Sequence, residues 1–320
     1  MFVPLWLWIA TVGGLLALIA LDLVIVDRKP HEVTTAEAAR WVIFYISCAV
    51  VFGIGVWIFA GQSFGVEFFT GYITEYSLSV DNLFIFMIIM ASFKVPAIHQ
   101  HRVLLVGILL ALAMRSVFIA VGAALIAQFV WVFFLFGAVL VWTAFSMLRS
   151  KDDEEYEENA VTRWVRKIYP VTDEYHGHKY AVKVNGKRMI TPMLVVIVAI
   201  GSADLLFAVD SIPAIFGITQ ESFLVFTANA FALMGLRQLY FLLGGLVTKL
   251  VYLSYGLAVI LGFIGAKLFL HALHEYHVVP DWLDVNNWIS LGVIVVVLTV
   301  TTLASLAKAR KDERAQLTAG

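Results

Sequence analysis

The chain is poor in charge and in cysteine. Charged residues make up 14% of its 320 residues, while 61% are hydrophobic, and the mean hydropathy is +0.90. Soluble domains are about 45–50% apolar, so this chain has too little polar surface to cover a water-soluble globule. Cys48 is its single cysteine, which excludes an intrachain disulfide and offers no thiolate metal site. The composition predicts a protein whose solvent is largely lipid.

Sequence motifs for common catalytic chemistries are also missing. There is no Walker A loop, nucleophile elbow, haem motif or basic nucleic-acid patch. We therefore expect no enzyme activity, no catalytic residues, no permanently bound cofactor and no nucleotide or nucleic-acid partner. No Lys or Arg precedes the first apolar run, so the positive region of a cleavable signal is absent. Any pumping would have to draw on ion gradients.

Long apolar runs predict an all-α, polytopic transmembrane bundle. Runs of roughly 20 apolar residues are typical of spanning helices. Two of the boundaries between runs are weak, one at Gln128 and one near Gly244, Gly245 and Lys249, which leaves seven or eight spans open. The nine predicted spans are residues 5–26, 41–60, 71–93, 103–127, 129–148, 193–217, 223–243, 250–272 and 288–307.

Positive charge predicts the orientation. If the amino terminus lies outside and the carboxyl terminus inside, no Lys or Arg falls in an external loop. Cytoplasmic loops carry the excess of Lys and Arg in membrane proteins, so this arrangement and a location in the inner or plasma membrane are expected. The cytoplasmic positive residues would be Arg28, Lys29, Arg40, Lys94, Arg102, Lys249, Lys308, Arg310, Lys311, Arg314 and nine more within residues 149–191.

The segment 149–191 is the sizeable soluble piece. Its acidic run "KDDEEYEENA" indicates a solvated stretch, and the alternation around Asn185 and Gly186 indicates a β-hairpin. A short cytoplasmic connector is the simpler interpretation, and a metal-sensing role for residues 174–178 stays open.

Two stretches with buried acids resemble each other: "TEYSLSVDNLFIF", residues 74–86, and "ADLLFAVDSIPAIFG", residues 203–217. Each has an acid, five residues, a second acid and a small polar residue. Two spans follow each motif helix, and the first of these carries a mid-span arginine, Arg115 or Arg237. Units of three helices alternate in orientation, so the repeat predicts inverted topology with a site near the midplane. The aligned pairs are Glu75 with Asp204, Asp81 with Asp210, and Asn82 with Ser211.

This repeat divides the chain into five parts. Residues 1–66 hold two helices, 67–148 the first repeat, 149–191 the connector, 192–273 the second, inverted repeat, and 274–320 an external loop, the last helix and a cytoplasmic tail. Pro213 lies just after Asp210 and removes a backbone donor, so we expect a broken or distorted helix there.

Acids inside a membrane are costly and usually functional. The four acids and two arginines leave a formal charge of −2, which one divalent cation or two protons would balance, whereas a purely structural ion-pair network would more naturally be neutral. Hard oxygen ligands suit Mg²⁺, Ca²⁺ and Mn²⁺. The predicted metal ligands are Glu75, Asp81, Asn82, Asp204, Asp210 and Ser211, with Arg115 and Arg237 as counter-ions. Accessory residues could be Asp22 near the inner end, and His271, His274 and Glu275 at the outer mouth, although an interfacial helix end explains the histidines as well.

The motifs "GYITEYSLSVDNLFIF", "DLLFAVDSIPAIFGIT" and "FALMGLRQLYFLL" resemble those of the TerC family of integral membrane proteins, over residues 22–273. The resemblance implies inverted three-helix repeats and, in some members, manganese export. It also implies alternatives, namely tellurium resistance involving another solute, or a membrane assembly role. Many members carry a glutamate where this chain has Gly201. We expect a divalent-cation exporter, most favourably for Mn²⁺, that exchanges the metal for protons.

Overall fold

The structure, a computed structural model, describes residues 3–26, 34–149, 160–172, 174–175, 177, 179–184, 187–243, 251–280 and 285–319. Within them the chain is helical apart from one two-stranded hairpin. The helices are α1 Leu5–Val26, α2 Thr35–Ala60, α3 Gln62–Ser92, α4 Ala97–Gln128, α5 Val132–Arg149, α6 Ala160–Ile168, α7 Pro192–Phe216, α8 Ser222–Met234, α9 Leu236–Leu243, α10 Leu253–Glu275 and α11 Asn287–Ala319; the strands are β1 Ala181–Val184 and β2 Lys187–Ile190.

The predicted helical bundle is confirmed. Eight stretches in the described part of the chain are helices long and apolar enough to cross a membrane, with α8 and α9 counted as one, and α1 adds a shorter apolar helix over Leu5–Leu21. Both weak boundaries separate helices: α4 ends at Gln128 before α5, and α9 ends at Leu243 before α10 begins at Leu253. Large apolar side chains such as Phe59 and Trp142 lie exposed on the outer faces, as contact with lipid tails requires.

Two details of the helices differ from expectation. The helix predicted from residue 71 begins at Gln62, because Gly61, at a φ of +114°, lets α2 turn directly into α3. Of the two outcomes expected at Pro213, a broken helix is wrong, since α7 continues to Phe216. Pro213 lies in the last turn, where its missing N–H costs a single backbone bond. The interruption falls instead at Gly235, between α8 and α9.

Contacts between distant residues define two ends of the bundle. At one end, Glu67 at the start of α3 accepts hydrogen bonds from Thr219 in the α7–α8 loop and from Asn287 at the start of α11. At the other, the Tyr175 hydroxyl donates to the carbonyl of Phe93 at 2.9 Å. We name these the Glu67 end and the Phe93 end. The grouping agrees with the predicted alternation of the spans, and which end faces the cytoplasm stays a prediction.

Helix pairing has the pattern that a repeat would need. Helix α3 packs on α8, α4 packs on α7, and α5 packs most extensively on α10. The predicted repeat equates α3 with α7, α4 with α8 and α5 with α10. Under this equivalence the α3–α8 contact corresponds to the α4–α7 contact, and the α5–α10 contact corresponds to itself. The inverted topology of the repeat stays a prediction. At the α5–α10 crossing, Gly137 and Gly265 let the two backbones approach closely, as small residues do between membrane helices.

The connector holds the expected hairpin. Strands β1 and β2 pair antiparallel, with Ala181 opposite Ile190, although the turn residues Asn185 and Gly186 lie outside the described residues. Two histidines of the possible metal-sensing segment, His176 and His178, lie outside them as well.

Candidate functional site

The side chain of Arg115 joins the two acidic motifs in the middle of the bundle. Its Nη1 donates to Glu75 Oε2 at 2.9 Å, and its Nε and Nη2 donate to the two carboxylate oxygens of Asp204 at 3.2 and 3.1 Å. Nη1 also donates to the hydroxyl of Ser211 at 3.1 Å. Helices α3, α4 and α7 thus meet at these four side chains, which we call the Arg115 cluster.

The Arg115 cluster is sealed from solvent. The exposed fractions are 0% for Arg115, 1% for Glu75, 2% for Asp204 and 1% for Ser211. One guanidinium with two ionised carboxylates gives the cluster a formal charge of −1. Because removing one partner of a buried ion pair leaves an uncompensated charge, each member is expected to depend strongly on the others.

Part of this cluster has unused bonding capacity. The Oε1 atom of Glu75 has no hydrogen-bond partner among the described residues, nor does either polar atom of the Asn229 amide on α8. Asn229 is 1% exposed, and its side chain lies close enough to the Glu75 carboxylate to act as a weak hydrogen-bonding neighbour. Asn229 was not among the predicted site residues, although an asparagine inside the apolar run "VFTANAF" is itself a signal. Carboxylate and amide oxygens are ligands for hard cations.

The second acid of each motif lies apart from the cluster. Asp81 is half-buried and accepts a hydrogen bond from Ser254 of α10 at 3.0 Å, about 9 Å along α3 from Glu75 toward the Phe93 end. Its neighbour Asn82 is buried. Asp210 is half-buried on α7, on the side toward the Glu67 end. It interacts electrostatically with Arg115 and Glu75, and no described side chain donates a hydrogen bond to it.

The six predicted ligands are therefore not gathered at one point. Among the residues that the structure describes, no three His, Cys, Asp or Glu side chains are placed to hold a metal ion together. The reason is helical geometry: six residues rotate by about 600°, so the two acids of one continuous helix face different directions. Glu75, Asp204 and Ser211 come together, and Asp81 and Asp210 flank them, one toward each end.

The two arginines are not equivalent. Arg237 lies on α9, just after the interruption at Gly235, and is 1% exposed. The hydrogen bonds to Glu75, Asp204 and Ser211 all come from Arg115, and Arg237 is not among the donors. The role of Arg237 as a second counter-ion stays a prediction.

The possible accessory site at the outer mouth is not assembled. The Nε2 atom of His271 lies 2.9 Å from the amide nitrogen of Gln220, and its ring meets Phe133 edge-on at 4.9 Å. Glu275 is exposed, and within the described residues no His, Asp or Glu group at metal-binding positions includes His271, His274 or Glu275. Asp22 lies on α1, and its side chain is outside the part that the structure describes.

A polar cavity of about 560 Å³ at the Glu67 end was not predicted. Lys267 donates to Asn287 at 2.9 Å, and Asn287 donates to Glu67 at 3.1 Å. Thr219 donates to the other oxygen of Glu67 at 2.7 Å. This line of hydrogen bonds ties α10, α11, α3 and the α7–α8 loop together. A lysine inside the predicted span 250–272 was the available signal, because charges within spans are rare and usually paired.

Comparison with known proteins gives clear relatives. The profile described as "Integral membrane protein TerC family" matches residues 60–313. An uncharacterized membrane protein of Mycobacterium tuberculosis is 45% identical over 95% of this chain and 79% of its own length. One of Myxococcus xanthus is 41% identical over 95% and 93%. An Escherichia coli relative named "Putative membrane-bound redox modulator Alx" is 36% identical over 93% and 92%. No solved structure matches the chain.

Proposed function

The chain belongs to the TerC family of integral membrane proteins, and from that premise we propose that this multi-pass protein exports a divalent metal cation, Mn²⁺ by preference, in exchange for protons. The proposal includes the cell membrane as its location, with the carboxyl terminus in the cytoplasm. It assigns the transported ion to Glu75, Asp204 and the polar atoms around them, with Asp81 and Asp210 as acids on the way in and out.

One observation carries the proposal: acids from both motif helices share a single buried guanidinium, beside a Glu75 oxygen and an Asn229 amide that are buried without a well-formed hydrogen bond. A cluster built only for packing would be expected to satisfy its buried polar atoms. Here a carboxylate oxygen and an amide oxygen remain for a ligand. Oxygen-only ligands favour Mg²⁺, Ca²⁺ or Mn²⁺ over softer metals.

In this proposal the guanidinium of Arg115 neutralises the carboxylates that would otherwise bind the transported cation. A guanidinium holds Glu75 and Asp204 together when no metal is present, and it stays charged at any physiological pH. A divalent cation that reaches Glu75 competes with Arg115 for the carboxylates, so part of the guanidinium's hydrogen bonding must open. Protons arriving from the other side compete with the metal for the same oxygens, because metal ligands must be deprotonated.

The flanking acids give the ion a stepwise route. Asp81 lies toward the Phe93 end and Asp210 toward the Glu67 end, and both are half-buried, whereas the Arg115 cluster is closed. An ion would meet one partly exposed acid, then the buried pair, then the second partly exposed acid. The polar cavity around Glu67 would form the mouth beyond Asp210.

Two alternatives differ in what they require. The Escherichia coli relative is named a redox modulator. A chain with one cysteine cannot alternate between an intrachain dithiol and a disulfide. A redox role would therefore need a bound redox group or a partner. Transport of a tellurium oxyanion or another solute, or an assembly role, would leave the acids without a cation to bind.

Calorimetric titration of the purified chain with Mn²⁺ tests the proposal. We expect binding that weakens as the pH falls, and that is lost in Glu75→Gln. Glu275→Gln is the matched control, because Glu275 is an exposed acid outside the cluster, and it should bind as the wild type does. Folded wild-type protein that binds no divalent cation at neutral pH would contradict the proposal and favour the assembly role.

A further inference from the structure

Helix α6, Ala160–Ile168, has three distinct faces. Successive residues of a helix are 100° apart, so Val161, Trp164 and Ile168 form one apolar face. They are 45%, 62% and 48% exposed. Thr162 lies on a second face and is fully buried, where α6 packs against α7. The third face carries the basic residues, with Arg166 opposite the apolar face and Lys167 at its edge. An exposed apolar face of this kind is unusual in water.

The position of α6 places this face at the level where the spanning helices end. The guanidinium of Arg166 lies 5.8 Å from the ring of Phe93, and Phe93 caps the end of α3. The hydroxyl of Tyr175, which follows α6 in the connector, donates to the Phe93 carbonyl, and burial raises the pKa of Tyr175, which keeps it a donor at physiological pH. Helix α6 and the segment after it therefore lie against the end of α3 at Phe93.

The charge of α6 has a single sign. Arg163, Arg166 and Lys167 give it a formal charge of +3, and the helix contains no acid. A short helix with an apolar face that includes a tryptophan and a basic face opposite is typical of one that lies in a membrane interface. Basic residues close to a bilayer are attracted to acidic lipids by about 1 kcal/mol each, which is roughly fivefold per residue in the ratio of bound to free.

We propose that α6 binds the surface of the surrounding bilayer at the Phe93 end, with Val161, Trp164 and Ile168 among the acyl chains and Arg163 and Lys167 on the headgroups of acidic lipids. This contact fixes the connector against the end of α3, the helix that carries Glu75 and Asp81. The inference rests on the exposure, packing and charge of α6 alone, and it holds whether or not the protein transports a metal.

The depth of α6 can be measured in the full chain. Cys48→Ser removes the native thiol, and a single cysteine at Val161 or at Arg163 then carries an environment-sensitive fluorophore. Both positions are exposed, so labelling removes no internal packing. In vesicles containing spin-labelled lipid, we expect quenching at position 161 to exceed that at position 163 by about twofold or more, since these positions lie on opposite sides of an interfacial helix.

The lipid chemistry is tested in the Val161→Cys protein. Quenching should increase when phosphatidylglycerol is added to phosphatidylcholine vesicles. The increase should vanish when Arg163→Gln and Lys167→Gln are added, and elution as a single folded species is the control for these variants.

Three outcomes would overturn the proposal. Equal quenching at positions 161 and 163 would place α6 in water. Quenching at position 161 that does not change when phosphatidylglycerol is added would show that α6 does not bind acidic lipid. Protection of position 161 from both lipid-borne and aqueous quenchers would indicate a protein partner or a second copy of the chain.

Discussion

Glu75 and Asp204 come from different acidic motifs, and both accept hydrogen bonds from the guanidinium of Arg115. The relationship explains how two carboxylates are tolerated in the middle of an apolar bundle. It also places the positive charge of the guanidinium between them. In the proposed export cycle, a transported cation would have to compete with this guanidinium for the same two carboxylates.

Removal of that charge is the first test. Arg115→Gln leaves Glu75 and Asp204 buried without a counter-ion, and loss of one partner of a buried pair costs about 3–5 kcal/mol. We expect a large drop in the melting temperature of the detergent-purified variant, and partial recovery on adding Mn²⁺, because the metal can replace the guanidinium. Arg188→Gln, at an exposed position on β2, is the control and should change neither property. A variant that melts lower but gains nothing from Mn²⁺ would indicate a packing role for the acids.

The flanking acids give the second prediction. Asp81→Asn and Asp210→Asn should each abolish protection of cells against excess manganese while the amount of protein in the membrane stays near that of the wild type. Neither residue belongs to the Arg115 cluster, so each substitution should leave the ion pairs of that cluster in place. Glu275→Gln is the control. Full protection by both well-expressed variants would exclude the two aspartates from the ion pathway.

Packing between the third helices of the two predicted repeats gives the third prediction. A Cβ atom at Gly265 would lie 2.9 Å from Val141 Cγ2, 3.0 Å from the carbonyl oxygen of Gly137 and 3.1 Å from Leu140 Cβ. Backbone atoms cannot move aside, so Gly265→Ala should destabilise the protein by about 1–3 kcal/mol. A Cβ at Gly292 on α11 meets nothing within 4 Å, so Gly292→Ala should be neutral or mildly stabilising. Equal melting temperatures for the two variants would contradict the close α5–α10 crossing.

Orientation gives the fourth prediction. In a Cys48→Ser background, a cysteine at the exposed Gln220, in the α7–α8 loop, should react with an impermeant reagent added outside intact cells. A cysteine at the exposed Lys183 on β1 should react only after the cells are opened. The reverse pattern would invert the predicted topology, and labelling of both positions from outside would remove the alternation of the spans.

Much of the fold could be predicted, because each spanning helix requires a continuous apolar run that can be recognised from the local sequence. The helix boundary at Gln128 was predicted from that one polar residue, and it is confirmed. The start of α3 at Gln62 was missed because the helix continues through the polar turn that holds Glu67, where a hydropathy window has already ended. The effect of Pro213 was overestimated, since proline near a helix end disrupts one bond, whereas the interruption lies at Gly235 in mid-span.

The sequence could predict which residues belong to the site, but not which of them form hydrogen bonds with one another. The motif spacing identified Glu75, Asp204 and Arg115, but no local pattern states that α4 supplies the guanidinium to both motifs. The symmetry of the repeat predicts that Arg237 shares this task, and that part stays a prediction. The positions of Asn229 and of the hydrogen bonds from Lys267 to Glu67 depend on contacts between distant helices. The sequence signal for them was a polar residue inside an apolar run, Asn229 in one case and Lys267 in the other.

Metal flux in vesicles shows whether the protein exchanges Mn²⁺ for protons. The purified chain is reconstituted with a fluorescent Mn²⁺ indicator trapped inside and a pH gradient imposed across the bilayer. We expect Mn²⁺ movement driven by the opposing proton gradient and dissipation of that gradient only when Mn²⁺ is present. Both should be lost in Asp210→Asn but not in Glu275→Gln. Wild-type vesicles that bind Mn²⁺ yet move neither Mn²⁺ nor protons above protein-free vesicles would contradict it.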